Sequence, residues 1–222
     1  AEAERRHIET ETTKSYIGPP GEPEFNVAMQ SLLLGAGHSV MSDQRIVSAQ
    51  TPGGCGALRV AAALINRAHP GATIWVSDPT WANHVPLLGD AGLTIKTYPY
   101  FDPETSSLRE SEMLDALSKV PAGDLVLLHG CCHNPCGVDL KVEHWHAIRD
   151  LALKQGFTPF VDIAYQGLST GIAEDAAGVR ILADAVPELI IASSCSKLWT
   201  ISRTYWCGSD RWQERCTNSS IG

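Results

Sequence analysis

No apolar run in this chain approaches the roughly 20 residues that a membrane-spanning helix needs. The opening segment AEAERRHIETETTK is charged where a secretion signal would carry an apolar centre. The expectation is a protein with no membrane partner and no export. Basic residues are scarce too: 17 lysines and arginines stand against 25 aspartates and glutamates, a formal net charge of -8. Neutralising nucleic-acid phosphates takes a concentrated Lys/Arg patch, and none is visible, so nucleic acid is excluded as an expected partner. Disulfide-framework spacing is also missing. Seven cysteines are an odd number in a mid-sized chain, which favours reduced thiols and a cytoplasmic setting. What is present is a globular composition, 44% hydrophobic over 222 residues, enough to bury one good core.

Apolar spacing predicts a helix from Pro23 to Gly35. After it, strand-like and helix-like segments alternate. RIVSAQ (45–50), TIWVS (73–77), LTIKTYP, DLVLLH (124–129), TPFVDI (158–163) and the run before Lys197 read as strands. ALRVAAALINRA (57–68), NHVPLLGDAG, SEMLDALSKV, VEHWHAIRDLALKQG and residues near 174–186 read as helices. Strands joined by such helices imply βαβ units and a mostly parallel sheet covered on both faces. The predicted fold class is therefore α/β, a three-layer sandwich. Ligands bind such sheets beyond the carboxyl ends of the strands. The polar residues gather there, at 53–56, 77–84, 129–137, 162–167 and 194–197.

Each cluster reads two ways. TPGGCGALR places backbone amides at a helix start, which suits a phosphate or is simply a tight turn; it lacks the Gly-Lys-Ser/Thr ending of a nucleotide-binding loop. HGCCHNPCG holds possible zinc ligands, but no second ligand cluster accompanies it and adjacent cysteines at a strand end point apart, so no metal is expected. Asp162 sits in an apolar strand and wants a cation, either an arginine or histidine of the protein or one carried by a ligand. Trp81 is either core or a flat lid for an aromatic ligand. Lys197 is either a surface lysine or a partly desolvated amine able to form a Schiff base. A phosphate nest, an aromatic lid, an acid for a ring nitrogen, donors for a phenolate and an amine for an aldehyde together describe pyridoxal 5'-phosphate.

TTKSYIG, EFN, TPGGCGALRV, WVSDPTWANH, HGCCHNPCGVD, FVDIAYQG and ELIIASSCSK, in that order, strongly resemble the class I aspartate/aromatic amino acid aminotransferases of pyridoxal-phosphate fold type I. The resemblance implies transfer of an amino group from aspartate or an aromatic amino acid to a 2-oxo acid. It implies that Lys197 holds the cofactor and later carries the substrate Cα proton, and that Asp162 pairs with the ring nitrogen. Asn134 and Tyr165 would bond the phenolic oxygen and Trp81 would stack on the ring. Gly54, Cys55, Ser194 and, across a homodimer, Tyr16 of the neighbouring subunit would meet the phosphate. His84 and His129 would support Asp162. Catalysis would fall to Lys197, Asp162 and Tyr165. A noncatalytic remnant that pairs with another subunit, and another fold type I enzyme such as a lyase, stay open as alternatives.

The chain departs from the family in places. Cys55 and Cys136 stand where the family usually has threonines, and the first exchange is expected to weaken phosphate binding. Relative to the family, an N-terminal clasp and the C-terminal small domain with its carboxylate-binding arginine are expected to be missing, which predicts weak or absent turnover. After Lys197 the residues Leu-Trp-Thr-Ile-Ser-Arg-Thr-Tyr-Trp-Cys look unrelated to the family. Codons permitted for them, regrouped after the first base, spell Phe-Gly-Leu-Tyr-Arg-Glu-Arg-Thr-Gly, which does match. Residues 1–197 are therefore read as a partial cofactor-binding large domain, and 198–222 as out-of-frame translation.

Overall fold

The computed structural model describes residues 2–11 and 15–197. Its main sheet has five strands: β1 (Thr73–Asp78), β2 (Thr94–Pro99), β5 (Leu125–His129), β6 (Thr158–Ile163) and β7 (Ile190–Ser193). Their spatial order is β2-β1-β5-β6-β7, and every neighbouring pair is parallel. A small antiparallel pair, β3 (Phe101–Asp102) and β4 (Ser107–Leu108), stands apart. The helices are α1 (Glu2–Thr10), α2 (Pro23–Leu34), α3 (Ser39–Ser42), α4 (Gly53–Ala68), α5 (His84–Gly89), α6 (Glu110–Leu117), α7 (Val142–Gln155) and α8 (Ala177–Ala183). Among the described residues no helix is long and apolar enough to cross a membrane.

Side chains alternate across a strand, so β5 divides its apolar run between two cores. Leu125 and Leu127 pack with Leu58, Ala62 and Ile65 of α4, Leu88 of α5 and Phe160. Val126 and Leu128 pack on the other face with Met113 and Leu117 of α6, Trp145 and Ile148 of α7 and Leu182 of α8. Three layers result, as the alternation of elements predicts. Each such side chain, fully buried, contributes about 1.5–3 kcal/mol of transfer free energy. On the second face α7 and α8 approach so closely that a Cβ at Gly178 would run into the Trp145 ring. α7 ends where Gly156 turns left-handed, φ 79°, and its N–H reaches the Ala152 carbonyl.

The structure corrects three boundaries. Residues 45–50 form no strand. Among the described residues their backbone finds no sheet ladder and is tied to α2 and its approach instead: Gln50 N–H donates to the Pro20 carbonyl at 2.8 Å and Asn26 Nδ2 to the Ser48 carbonyl at 3.5 Å. The helix expected over 57–68 starts earlier, at Gly53, so that the glycine-rich run forms its first turn behind Pro52. The helix expected near 174–186 shrinks to Ala177–Ala183. Asp175 accepts backbone N–H groups from Gly167, Ser169, Thr170 and Gly171 and so holds the preceding residues in a turn. Burial alone would raise the Asp175 pKa, but those donors outweigh it and hold the group below the ordinary aspartate value.

Candidate active site

A cleft of about 190 Å³ opens at the carboxyl ends of the parallel strands. Gly54, Cys55, Trp81, His129, Asn134, Asp162, Tyr165, Ser194 and Lys197 all line it. Leu58, Ala164 and Ser196 complete the wall; sequence reasoning assigned them no role, although Ser196 neighbours Lys197. Tyr16 does not line its own chain's cleft and is 88% exposed.

Asp162 comes from β6, with its side chain only 10% exposed. Its partner is a histidine: His84 Nε2, fully buried at the start of α5, lies 2.9 Å from Asp162 Oδ2. The other ring nitrogen of His84 lies 2.7 Å from Thr80 Oγ1, and that hydroxyl is 3.2 Å from His129 Nε2. A carboxylate only accepts, so His84 Nε2–H donates to Asp162, and the Thr80 hydroxyl, which can donate and accept, bridges His84 Nδ1 and His129 Nε2. Parallel pairing places His129 directly beside Asp162 on the neighbouring strand. His129 stays neutral, because burial and then the nearby His133 and His84 hold its pKa well below the ordinary value.

A second layer of the same kind lies behind. His129 stacks on His133 with centroids 3.9 Å apart, and His133 stacks on Tyr100 at 4.2 Å. Cys136 Sγ is 3.1 Å from His133 Nδ1, and Ser77 Oγ is 3.0 Å from His133 Nε2. Burial pushes the Cys136 thiol up, so it keeps its proton and donates to Nδ1, leaving Nε2–H to donate to Ser77. Burial likewise lowers His133 to about 4, against the opposing pull of Asp139. The Asp139 carboxylate accepts the backbone N–H groups of Cys132 and His133 and fixes the 131–137 loop. Cys131 is buried, and Cys132 and Cys136 are half-buried.

The start of α4 approaches the end of β7. A Cβ at Gly54 would stand 3.3 Å from Ser194 Cβ, and Gly53 takes φ 69°, a conformation suited to glycine. The first N–H groups of a helix have no intrahelical acceptor, and this helix start lies beside the Ser194 and Ser196 hydroxyls, which are 3.0 Å apart. Trp81 is half-buried and meets His84 edge-on, centroids 5.3 Å apart. Of the two readings of Lys197, exposed or partly desolvated, the structure has the exposed one, with its Nζ 5.7 Å from the Tyr165 ring centroid. The proposed out-of-frame segment, 198–222, lies outside the described residues.

A parallel sheet covered on both faces, with an amine, an acid and a flat aromatic wall at one end, has the architecture of the fold type I pyridoxal-phosphate enzymes. The chain matches the family Aminotransferase class I and II over residues 1–218 and belongs to it. It is 47% identical over 201 residues to the aromatic-amino-acid aminotransferase of Paracoccus denitrificans, covering 90% of this chain and 50% of that protein. It is 45% identical to the aspartate aminotransferase of Escherichia coli, covering 88% and 49%. An aromatic-amino-acid aminotransferase of Burkholderia pseudomallei, solved covalently bound to pyridoxal phosphate, superposes with a TM-score of 0.86 at 34% identity. That match covers 97% of this chain and 56% of the other. The chain spans about half the length of the curated relatives it matches.

Proposed function

We propose that this chain is the cofactor-binding part of a pyridoxal-phosphate-dependent aminotransferase that moves an amino group between aspartate or an aromatic amino acid and a 2-oxo acid. One observation carries the reading: Lys197, Asp162, Trp81, Asn134 and Tyr165 line a single cleft whose edge is formed by the first turn of α4 and Ser194. The donor set fits the group. Bound there, pyridoxal phosphate supplies an aldehyde and an electron-withdrawing ring. Asp162, held by His84, faces the ring nitrogen's proton. Asn134 and Tyr165 donate to the phenolic oxygen, and Trp81 covers one ring face. The α4 amides, with Ser194, take the phosphate, and Cys55 brings a weaker donor than a hydroxyl. The Lys197 amine holds the aldehyde and then moves the proton at the substrate Cα.

Borohydride reduction of the full chain with pyridoxal phosphate, followed by peptide mapping, tests this. The expected adduct is at Lys197 alone; labelling spread over the other lysines would overturn the reading. No arginine lines the cleft among the described residues, so turnover by this chain alone is expected to be weak or absent. A normal transamination rate would contradict that. A second copy is the proposed source of Tyr16 at the phosphate, and the proposed setting is cytoplasmic. The out-of-frame reading of 198–222 overlaps the family match, which runs to residue 218. The nucleotide sequence after the Lys197 codon decides it: codons that forbid the regrouped frame would end the proposal.

A further inference from the structure

Behind the cleft wall one ring is held on every side. His133 is 3% exposed. Its nitrogens lie 3.1 Å from Cys136 Sγ and 3.0 Å from Ser77 Oγ. His129 and Tyr100 both stack on it, and two rings so close and so nearly parallel to a third must take its opposite faces. The main chain is tied as well: the His133 N–H donates to Asp139 Oδ1 at 2.7 Å, and its carbonyl accepts the Gly137 N–H at 2.7 Å. Ser77 belongs to β1, His129 ends β5, and Tyr100 lies between β2 and β3, so one side chain ties three neighbouring strands together at the level of the cleft. A ring that only filled this space would need no nitrogens, since a phenyl group stacks as well and brings no buried polar atoms to satisfy.

We infer that His133 is a positioning residue for the cleft: clamped by Cys136 and Ser77, it holds Asn134 at the place of the phenolic oxygen and His129 beside Asp162. Both paths are short. Asn134 lines the cleft and shares a planar peptide unit with His133, so its Cα moves only with the clamp. His129 stacks on the clamped ring at 3.9 Å and stands in register with Asp162. The thiol at 136 is the soft point of the clamp, because a thiol is a weaker donor than a hydroxyl. This assignment rests on the proposed cofactor reading for what Asn134 meets, and on the geometry alone for the clamp.

Cys136→Val and Cys136→Thr are alike in shape and differ in a hydroxyl, so together they separate the clamp from packing. In the full 222-residue chain without cofactor, Cys136→Val is expected to speed amide exchange at Cys132 and His133, the two donors to Asp139, at least tenfold. Exchange in β6 and α7 should change less than twofold, and Cys136→Thr should match the unaltered chain. His133→Phe, which keeps the stack and loses both ring hydrogen bonds, should behave as Cys136→Val. With pyridoxal phosphate bound, the pH midpoint of its absorbance change should rise by about half a unit or more in Cys136→Val and return in Cys136→Thr, since a misplaced donor stabilises an ionised phenol less. Exchange that rises alike throughout the chain, or nowhere, would overturn the inference whether or not cofactor binds. A midpoint that is the same in every variant would overturn it too. Failure of every form to take pyridoxal phosphate at Lys197 would instead count against the proposed function, and the exchange rates would still decide for or against the clamp.

Discussion

His84 stands between Asp162 and Thr80, 2.9 Å from the carboxylate and 2.7 Å from the hydroxyl, with none of its own surface exposed. A buried ring with both nitrogens engaged is fixed in place, and through it the orientation of Asp162 in the cleft.

His84→Ala removes a donor from Asp162 and a hydrogen-bond partner from Thr80 and opens a cavity. The expected loss of stability in urea denaturation is about 1–3 kcal/mol. In a double-mutant cycle with Asp162→Asn the two losses should fall short of adding, because both act on one hydrogen bond. Strict additivity would mean that the contact carries no energy.

Stability should fall as acid is added. The usual histidine value is 6.5, and the fold holds His133 down to about 4 and His129 well below the ordinary value. Between about 4 and 6.5 the unfolded chain therefore binds more protons than the folded one. The stabilisation is complete above that window and is lost as pH drops through it, at about 1.4 kcal/mol per pH unit for each histidine. His133→Gln should flatten the slope measured between pH values across the window; an unchanged slope would remove His133 from the account.

The packing of α8 on α7 depends on the absence of a side chain at one position. Gly178→Ala pushes a methyl group into the Trp145 ring and should cost about 1–3 kcal/mol. Thermal or urea unfolding reads this directly, and a stabilised variant would show that the helices separate freely.

Cys55→Thr puts a hydroxyl at the start of α4. If the first turn of that helix takes a phosphate, pyridoxal phosphate should bind about three- to tenfold more tightly, a hydrogen bond's net worth of about 0.5–1.5 kcal/mol. Equilibrium titration by absorbance checks it, with inorganic phosphate as competitor.

Much of the fold was legible because its elements are decided locally. β5 and β6 are short apolar runs between turn residues, and α7 ends on a glycine the chain spells out. Residues 45–50 were misread for the opposite reason: a strand needs a neighbour, and no local pattern says whether one stands beside it. The cleft residues were legible through a run of motifs and through the cost of burying Asp162 without a partner. The contacts of Thr80 with His129 and of Ser77 with His133 were not, since they span 49 and 56 residues and exist only through the sheet. The sequence left Lys197 open between exposed and partly desolvated, because the covering of a side chain depends on what folds over it; among the described residues the Tyr165 ring lies beside it.

The pairing of His129 with Asp162 across β5 and β6 makes the cleft a record of strand alignment. A slip of one residue would set Leu128 or Gly130 opposite the acid and turn the histidine to the other face. A molecule that had folded out of register would thus present an acid without its attendant ring. A ligand that needs the pair would select the correctly assembled molecules from a mixed population and draw the rest toward them.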